Sequence, residues 1–188
     1  MRTVVVTPPE PVVSVEEAKL HLRVDGDDED TVIAGMIAAA TGFIDGPDGW
    51  LGRAIGVQEL EYRGDLFRCD PIRLPYPPVV DIISVEYEDG AGVVQTLDPS
   101  LFELRGAELG TAWGKSWPSV RAYRGPAETV RVRYNAGYAD LPPAIRVAIL
   151  MMVGDMYRHR SETVDGSSAA AAMSFTVANL LAPFRVFS

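Results

Sequence analysis

The chain has 188 residues, 26 acidic against 17 basic, for a net charge of −9. That length holds one good core or two small ones, and a hydrophobic content of 47% excludes wholesale disorder. The acidic balance opposes tight binding along a nucleic-acid backbone, which needs clustered Lys and Arg, and the single cysteine, Cys69, excludes an internal disulfide or a multi-cysteine metal site.

Residues 1–13, with Pro8, Pro9 and Pro11, read as an extended N-terminal arm. Ser14 then starts a helix, because Glu17 stands three residues on at the capping-box spacing, and the helix runs to about Val24. After the acidic loop from Asp25, a second helix is expected from about Asp28 to Ile44. Val32, Ile33, Met36, Ile37, Ala40, Phe43 and Ile44 fall at helical spacing on it, and Gly46, Pro47 and Gly49 end it.

Between residues 55 and 138 the hydrophobic period shortens to two. Val130, Val132 and Tyr134 alternate with Thr129, Arg131 and Arg133, and Ile83, Val85 and Tyr87 are expected on one face of a second strand. The turn at Asp89–Gly92 predicts a hairpin into Val93–Leu97. The segments Gly56–Arg63, Leu101–Arg105 and Ser119–Tyr123 are weaker strand candidates. Pro142 and Pro143 open a long helix to near Arg160. Its apolar stretch from Ala144 to Val153, interrupted by Arg146, is well short of the roughly 20 residues that span a bilayer, so no membrane contact is expected. Helix sides this apolar are buried on more than one face. A small-residue linker at Gly166–Ala172 leads to a short amphipathic tail with Thr176 as its expected N-cap. The fold class is therefore α+β. A helical bundle over 14–54 and 139–165, of two N-terminal helices and one long C-terminal helix, carries an antiparallel β-rich insertion over 55–138. Residues 166–188 form the linker and an extended C-terminal tail.

Catalytic and cofactor chemistry finds no support in the sequence. Asp25 and Asp27 have the spacing of a calcium loop, but Asp30 stands where glycine is required and Met36 where a bidentate Glu is required. His21 has no second ligand at metal spacing, and His159 lies between Arg158 and Arg160, whose charges disfavour a cation. No GxGxxG, GxxxxGK[ST] or GxSxG occurs, so no cofactor, metal or catalytic residue is assigned and the chain reads as a non-enzyme. Trp113 and Trp117, flanking Gly114, are either a platform for a sugar or other small ligand or anchors beneath a loop. Arg131 and Arg133, with Arg121 and Arg124, form a basic patch suited to neighbouring acids or to phosphate.

Read together, four segments resemble the head–tail connector (adaptor, or head-completion) family of tailed phages and phage-like gene transfer agents. They are Val15–Asp45, an opening helix pair around an acidic loop; Leu74–Gly92, a Pro-rich lead into a hairpin; Val130–Glu162, a strand, a Gly-Tyr turn and a long helix; and Asn179–Ser188, with its Leu-Leu-x-Pro-Phe-Arg sequence. The resemblance implies a structural protein of the particle, assembled in the bacterial cytoplasm, at the head–tail junction. It also implies a ring of about twelve copies below the portal protein, joined on its far side to stopper or tail components. DNA would pass through the channel without specific binding, past an acidic wall that repels phosphate. On this reading the C-terminal tail docks on the portal through Leu180, Leu181, Phe184, Arg185 and Phe187; the alternative is that it folds back onto its own bundle, and the linker favours reach.

Overall fold

The computed structural model describes residues 2–65, 67, 71–120, 128–159 and 173–187; Cys69, Arg121, Arg124 and the linker at 166–172 lie outside them. The described residues form four α-helices and two antiparallel sheets, a mixed α+β chain. It divides into two compact units, each assembled from separate stretches of sequence. The first joins the residues up to Pro9 to Val57–Tyr138, and the second joins Glu10–Gly56 to the residues from Ala139 onward.

The first unit holds the strands. Arg2–Thr7 (β1), Gln58–Gly64 (β2), Val130–Ala136 (β8), Val79–Glu88 (β4) and Val94–Thr96 (β5) lie side by side in that order. A second sheet has Ile72–Arg73 (β3), Glu108–Thr111 (β7) and Phe102–Arg105 (β6). Alternation sorts the larger sheet into two faces. Leu60 opposes Tyr134 and Tyr62 opposes Val132, with Val85 on the far side of Val132, and all of these side chains are buried. The Tyr134 hydroxyl donates to the Pro75 carbonyl at 2.8 Å, fastening the segment after β3 to this apolar side. Burial pushes that hydroxyl well above the ordinary phenol range. The other face carries Glu59, Glu61 and Arg63 against Asn135, Arg133 and Arg131.

The extended N-terminal segment includes an edge strand: Arg2–Thr7 pairs with β2, from Arg2 opposite Arg63 to Thr7 opposite Glu59. Three consecutive valines have the β-branched shape that a strand favours, and β2 supplies the partner. Ile83 does not share a face with Val85 and Tyr87. The register shifts between Val79 and Asp81 and again between Ile82 and Ser84, so Ile82 faces Tyr134 while Ile83 is 49% exposed. The β4–β5 hairpin forms as expected, with the Asp89 carboxylate accepting from the Ala91 and Val93 amides.

The second unit holds the helices Val15–Leu22 (α1), Asp30–Ile44 (α2), Pro143–Arg158 (α3) and Phe175–Leu181 (α4). The Ser14 side chain accepts from the Glu17 amide at 3.1 Å, which caps α1. α3 buries Ile145, Ala148, Ile149, Leu150 and Val153, and α2 buries Ile33, Ile37, Ala40 and Ile44. Arg146 on α3 donates to Glu17 on α1 at 2.8 Å, and the Tyr157 hydroxyl donates to Glu29 at the start of α2. Both contacts tie the long helix to the opening pair.

Candidate interaction surfaces

The C-terminal tail is the first surface singled out by the sequence, and it lies on its own unit. Ser174, not Thr176, caps α4 by accepting from the Val177 amide. Val177 and Leu181 are then fully buried, Leu180 and Phe184 are half-buried, and Arg185 and Phe187 are exposed. Backbone contacts hold the rest of the segment. Arg53 Nε donates to the Phe184 carbonyl at 2.7 Å, and the Val186 amide donates to the Leu51 carbonyl at 2.8 Å. Gly52 makes that approach possible: its φ is +61°, and a Cβ there would sit 2.7 Å from the Val186 carbonyl oxygen. The Arg185 guanidinium stacks 4.2 Å from the Trp50 ring centroid and 4.7 Å from that of Phe187. The tail therefore presents an Arg185–Phe187–Trp50 cluster outward while Val177 and Leu181 face inward.

The loop that receives the tail is compact for local reasons. Asp45, just past α2, accepts the Ile55 amide at 2.6 Å, and the Gly46 amide donates to the Arg53 carbonyl at 2.8 Å. A Cβ on Gly49 would fall on the Asp45 backbone, so the chain can turn back only at a glycine. These glycines read in sequence as a helix stop. Their role in seating residues more than 130 positions away has no local signature.

The acidic loop pairs with a lysine of the helix before it, and Glu29 at the N-cap of α2 makes no side-chain capping bond. Lys19 Nζ lies 2.8 Å from both Asp27 and Asp30. These hydrogen bonds, that to Asp27 foremost, push the ammonium above its ordinary range and hold Asp27 below its own. Among the described residues, no group of three or more His, Cys, Asp or Glu side chains could hold a metal ion.

Residues 12–62 match the sequence profile of the family described as phage gp6-like head-tail connector protein. The chain resembles the head–tail connectors. That match takes in α1, α2 and most of β2. The likeness of fold extends further, to solved chains aligned over 100% of this chain and 97% of theirs. One is from the virion of a native gene transfer agent particle, at 24% identity and a TM-score of 0.76. Another is from the neck of an empty gene transfer agent particle computed with C6 symmetry, at 22% identity and a TM-score of 0.74. A third is from the neck of a native particle computed with C12 symmetry, at 22% identity and a TM-score of 0.69. No curated protein matches the sequence.

The two other sequence candidates separate. Trp113 is 97% exposed and lines a cleft of about 420 Å³ with Glu103, Arg105, Glu108 and Lys115. Trp117 is not beside it in that cleft: its ring stacks on Phe67 with centroids 4.5 Å apart and planes within 1°. The pair is thus one packed ring and one open ring, which is not a two-ring platform. On the basic strand face Arg133 is paired with acids, as is Arg63 on the neighbouring strand, while Arg131 is exposed. Glu61, 3% exposed, accepts from Arg63 Nε at 2.6 Å and from Arg133 Nε at 2.8 Å, and Glu128 bridges Arg63 to Arg2 on the edge strand. Burial pushes the Glu61 carboxyl up, but the hydrogen bonds from Arg133 and Arg63 outweigh it and the net direction is down. Sequence reasoning placed the arginines and missed Glu61, whose polar strand position looks solvated until the arginines fold over it.

Proposed function

We propose that this chain is a structural head–tail connector of a phage-like particle, located at the head–tail junction and carrying no catalytic activity. The observation that carries the reading is the agreement of fold along the whole chain with chains of gene transfer agent particles, from Arg2–Thr7 to the terminal helix. The connector profile at residues 12–62 supports it independently from sequence. In the finer form of the proposal, copies assemble into a ring below the portal, the far side joins stopper or tail components, and DNA passes through without specific contacts. The net charge of −9 suits such a passage, because an acidic wall repels phosphate. Portal docking belongs to the part of the tail left facing outward, the Arg185 guanidinium and the Phe187 ring, with Leu180 and Phe184 at the margin and Leu181 anchoring the segment from within. An aromatic side chain beside an arginine is the composition of an interface hot spot.

The test is deletion of the gene in a cell that produces the particle, with electron microscopy of the heads. Filled heads lacking tails, restored by the intact gene and not by an Arg185→Glu/Phe187→Ala variant, are the expected result. Tailed particles formed at the normal yield in the deletion strain refute the connector function.

A further inference from the structure

The three-stranded sheet carries a cleft that the connector reading leaves without a task. Directly opposed residues put Glu103 and Arg105 of β6 on one face with Gly110 and Glu108 of β7, while Leu109 is buried on the other. Gly110 stands inside β7, where a glycine weakens a strand but lets a ligand come close to the backbone. With no side chain on that face, it opens the hollow of about 420 Å³ that these residues line. The wall of the hollow is the turn Ala112–Lys115. The Lys115 amide donates to the Ala112 carbonyl at 2.9 Å, and Gly114, at φ +71°, supplies the left-handed third residue of a type II turn. That turn sets Trp113 at its corner beside the hollow, 97% exposed. Tryptophan carries a large apolar surface and is seldom left open to this extent.

We infer that this cleft binds a neutral saccharide, a mono- or disaccharide unit lying flat on the Trp113 ring with its hydroxyls over Glu103, Arg105 and Glu108. Charge selects that class. Arg105 donates to Glu103 and faces Glu108 across the two strands. The Lys115 ammonium is near enough to Asp98 to add, after the hydrogen bonds from Ser100, to holding that carboxyl below its ordinary range. A charged ligand would have to displace one of these pairs, and a nucleotide would also meet the carboxylates of Glu103 and Glu108. A neutral ring need not. Guanidinium and carboxylate keep N–H groups and lone pairs beyond those they share, and sugar hydroxyls both donate and accept. The C–H face of the sugar meanwhile covers the tryptophan. An apolar peptide side chain would cover it too, but would strip water from Glu103, Glu108 and Arg105 without replacing its hydrogen bonds. A strand added to the sheet would pair at the edge of β6, not over this face. The site lies within the strand unit and does not depend on ring assembly.

Saturation-transfer NMR on the purified full chain tests this, with cellobiose, maltose and diacetylchitobiose as probes. A small ligand held by one ring and a few hydrogen bonds is expected to bind at about 1 mM. Transfer to the ring C–H protons of one or more of these sugars is the expected result. Trp113→Ala should weaken binding about tenfold while melting within about 2 °C of the parent. Gly110→Val places a residue suited to a strand on the cleft face and should abolish the signal with Trp113 intact. No transfer to any of these sugars, or transfer undiminished in Trp113→Ala, overturns the inference. Transfer undiminished in Gly110→Val shows adventitious stacking on an open ring and overturns the cleft. Equal or greater transfer to N-acetylneuraminic acid, to glucosamine or to a blocked alanine tripeptide overturns the assignment to neutral saccharides. Each of these results leaves the connector function standing.

Discussion

Removing the chain from Asn179 onward measures whether the tail is part of the folded helical unit. The deletion takes away Leu181, which is fully buried, and a buried leucine reduced to nothing costs about 3 kcal/mol in transfer and cavity terms. It also removes the Arg53 bond to the Phe184 carbonyl at 2.7 Å and the Val186 bond to the Leu51 carbonyl at 2.8 Å, each contributing about 1 kcal/mol net. Val177, which anchors the first turn of α4, stays in place. The expected loss is about 5 kcal/mol, and Leu181→Ala alone should account for about 3 of it. A loss of about 5 kcal/mol corresponds to a fall of some 10–20 °C in melting temperature for a protein of this size. Thermal melts by circular dichroism, with urea titrations to separate midpoint from slope, read both numbers. A truncated protein melting within about 2 °C of the full chain would show that residues 179–187 are not held as described, and would return the tail to a free tether.

Glu61→Gln leaves Arg63 and Arg133 without their shared carboxylate; since both arginines are partly exposed, the expected cost is about 1–2 kcal/mol at neutral pH. Because the folded Glu61 carboxyl lies below its unfolded value of about 4.3, its contribution is full above that pH and is lost as pH falls through the lower folded value. Urea midpoints from pH 6 down to pH 3 should therefore converge for parent and variant, and a constant gap would contradict the assignment. Tyr134→Phe strands the Pro75 carbonyl and should destabilise by about 1–2 kcal/mol by urea titration. Trp113→Ala is expected to change stability by less than about 0.5 kcal/mol, while Trp117→Ala, which loses the stack on Phe67, costs about 1–3 kcal/mol. Equal effects from the two tryptophans in the same melt would refute their separation.

What the sequence shows most clearly is whatever local chemistry decides. Ser14 and Glu17 announce the start of α1 because the cap is made within four residues, and Pro142–Pro143 announces α3 for the same reason. Val130, Val132 and Tyr134 reveal the buried face of β8 because that strand runs without a bulge against β2. Ile83 misleads because a bulge is a property of two strands, invisible in either alone. β1 is illegible for a related reason: Thr3 faces Tyr62, nearly sixty residues on, and nothing near residue 3 says that such a partner exists. The tail's composition, a small-residue linker followed by leucines, favours reach over fold-back in the sequence, whereas residues 175–187 lie on their own unit. The deciding element is Gly52, whose open backbone admits Val186, and that pairing has no periodic signature.

The chain crosses between its two units three times, after Pro9, Gly56 and Tyr138. During synthesis this ordering withholds completion from both until late. β1 is made first, waits for β2 around residue 60, and the sheet still lacks β8, which stands between β2 and β4, until residue 136 has appeared. The opening helices wait longer, for α3 and then for Leu181. A ribosome that stalls or a message that is cut short thus releases a fragment with open sheet edges and uncovered helix faces, the kind of surface that proteolysis and chaperones act on. A fragment ending before Tyr138 holds neither unit whole, and one ending between Tyr138 and the terminal helix holds the strand unit but not the helical one, so truncation at any of these points leaves at least one unit incomplete.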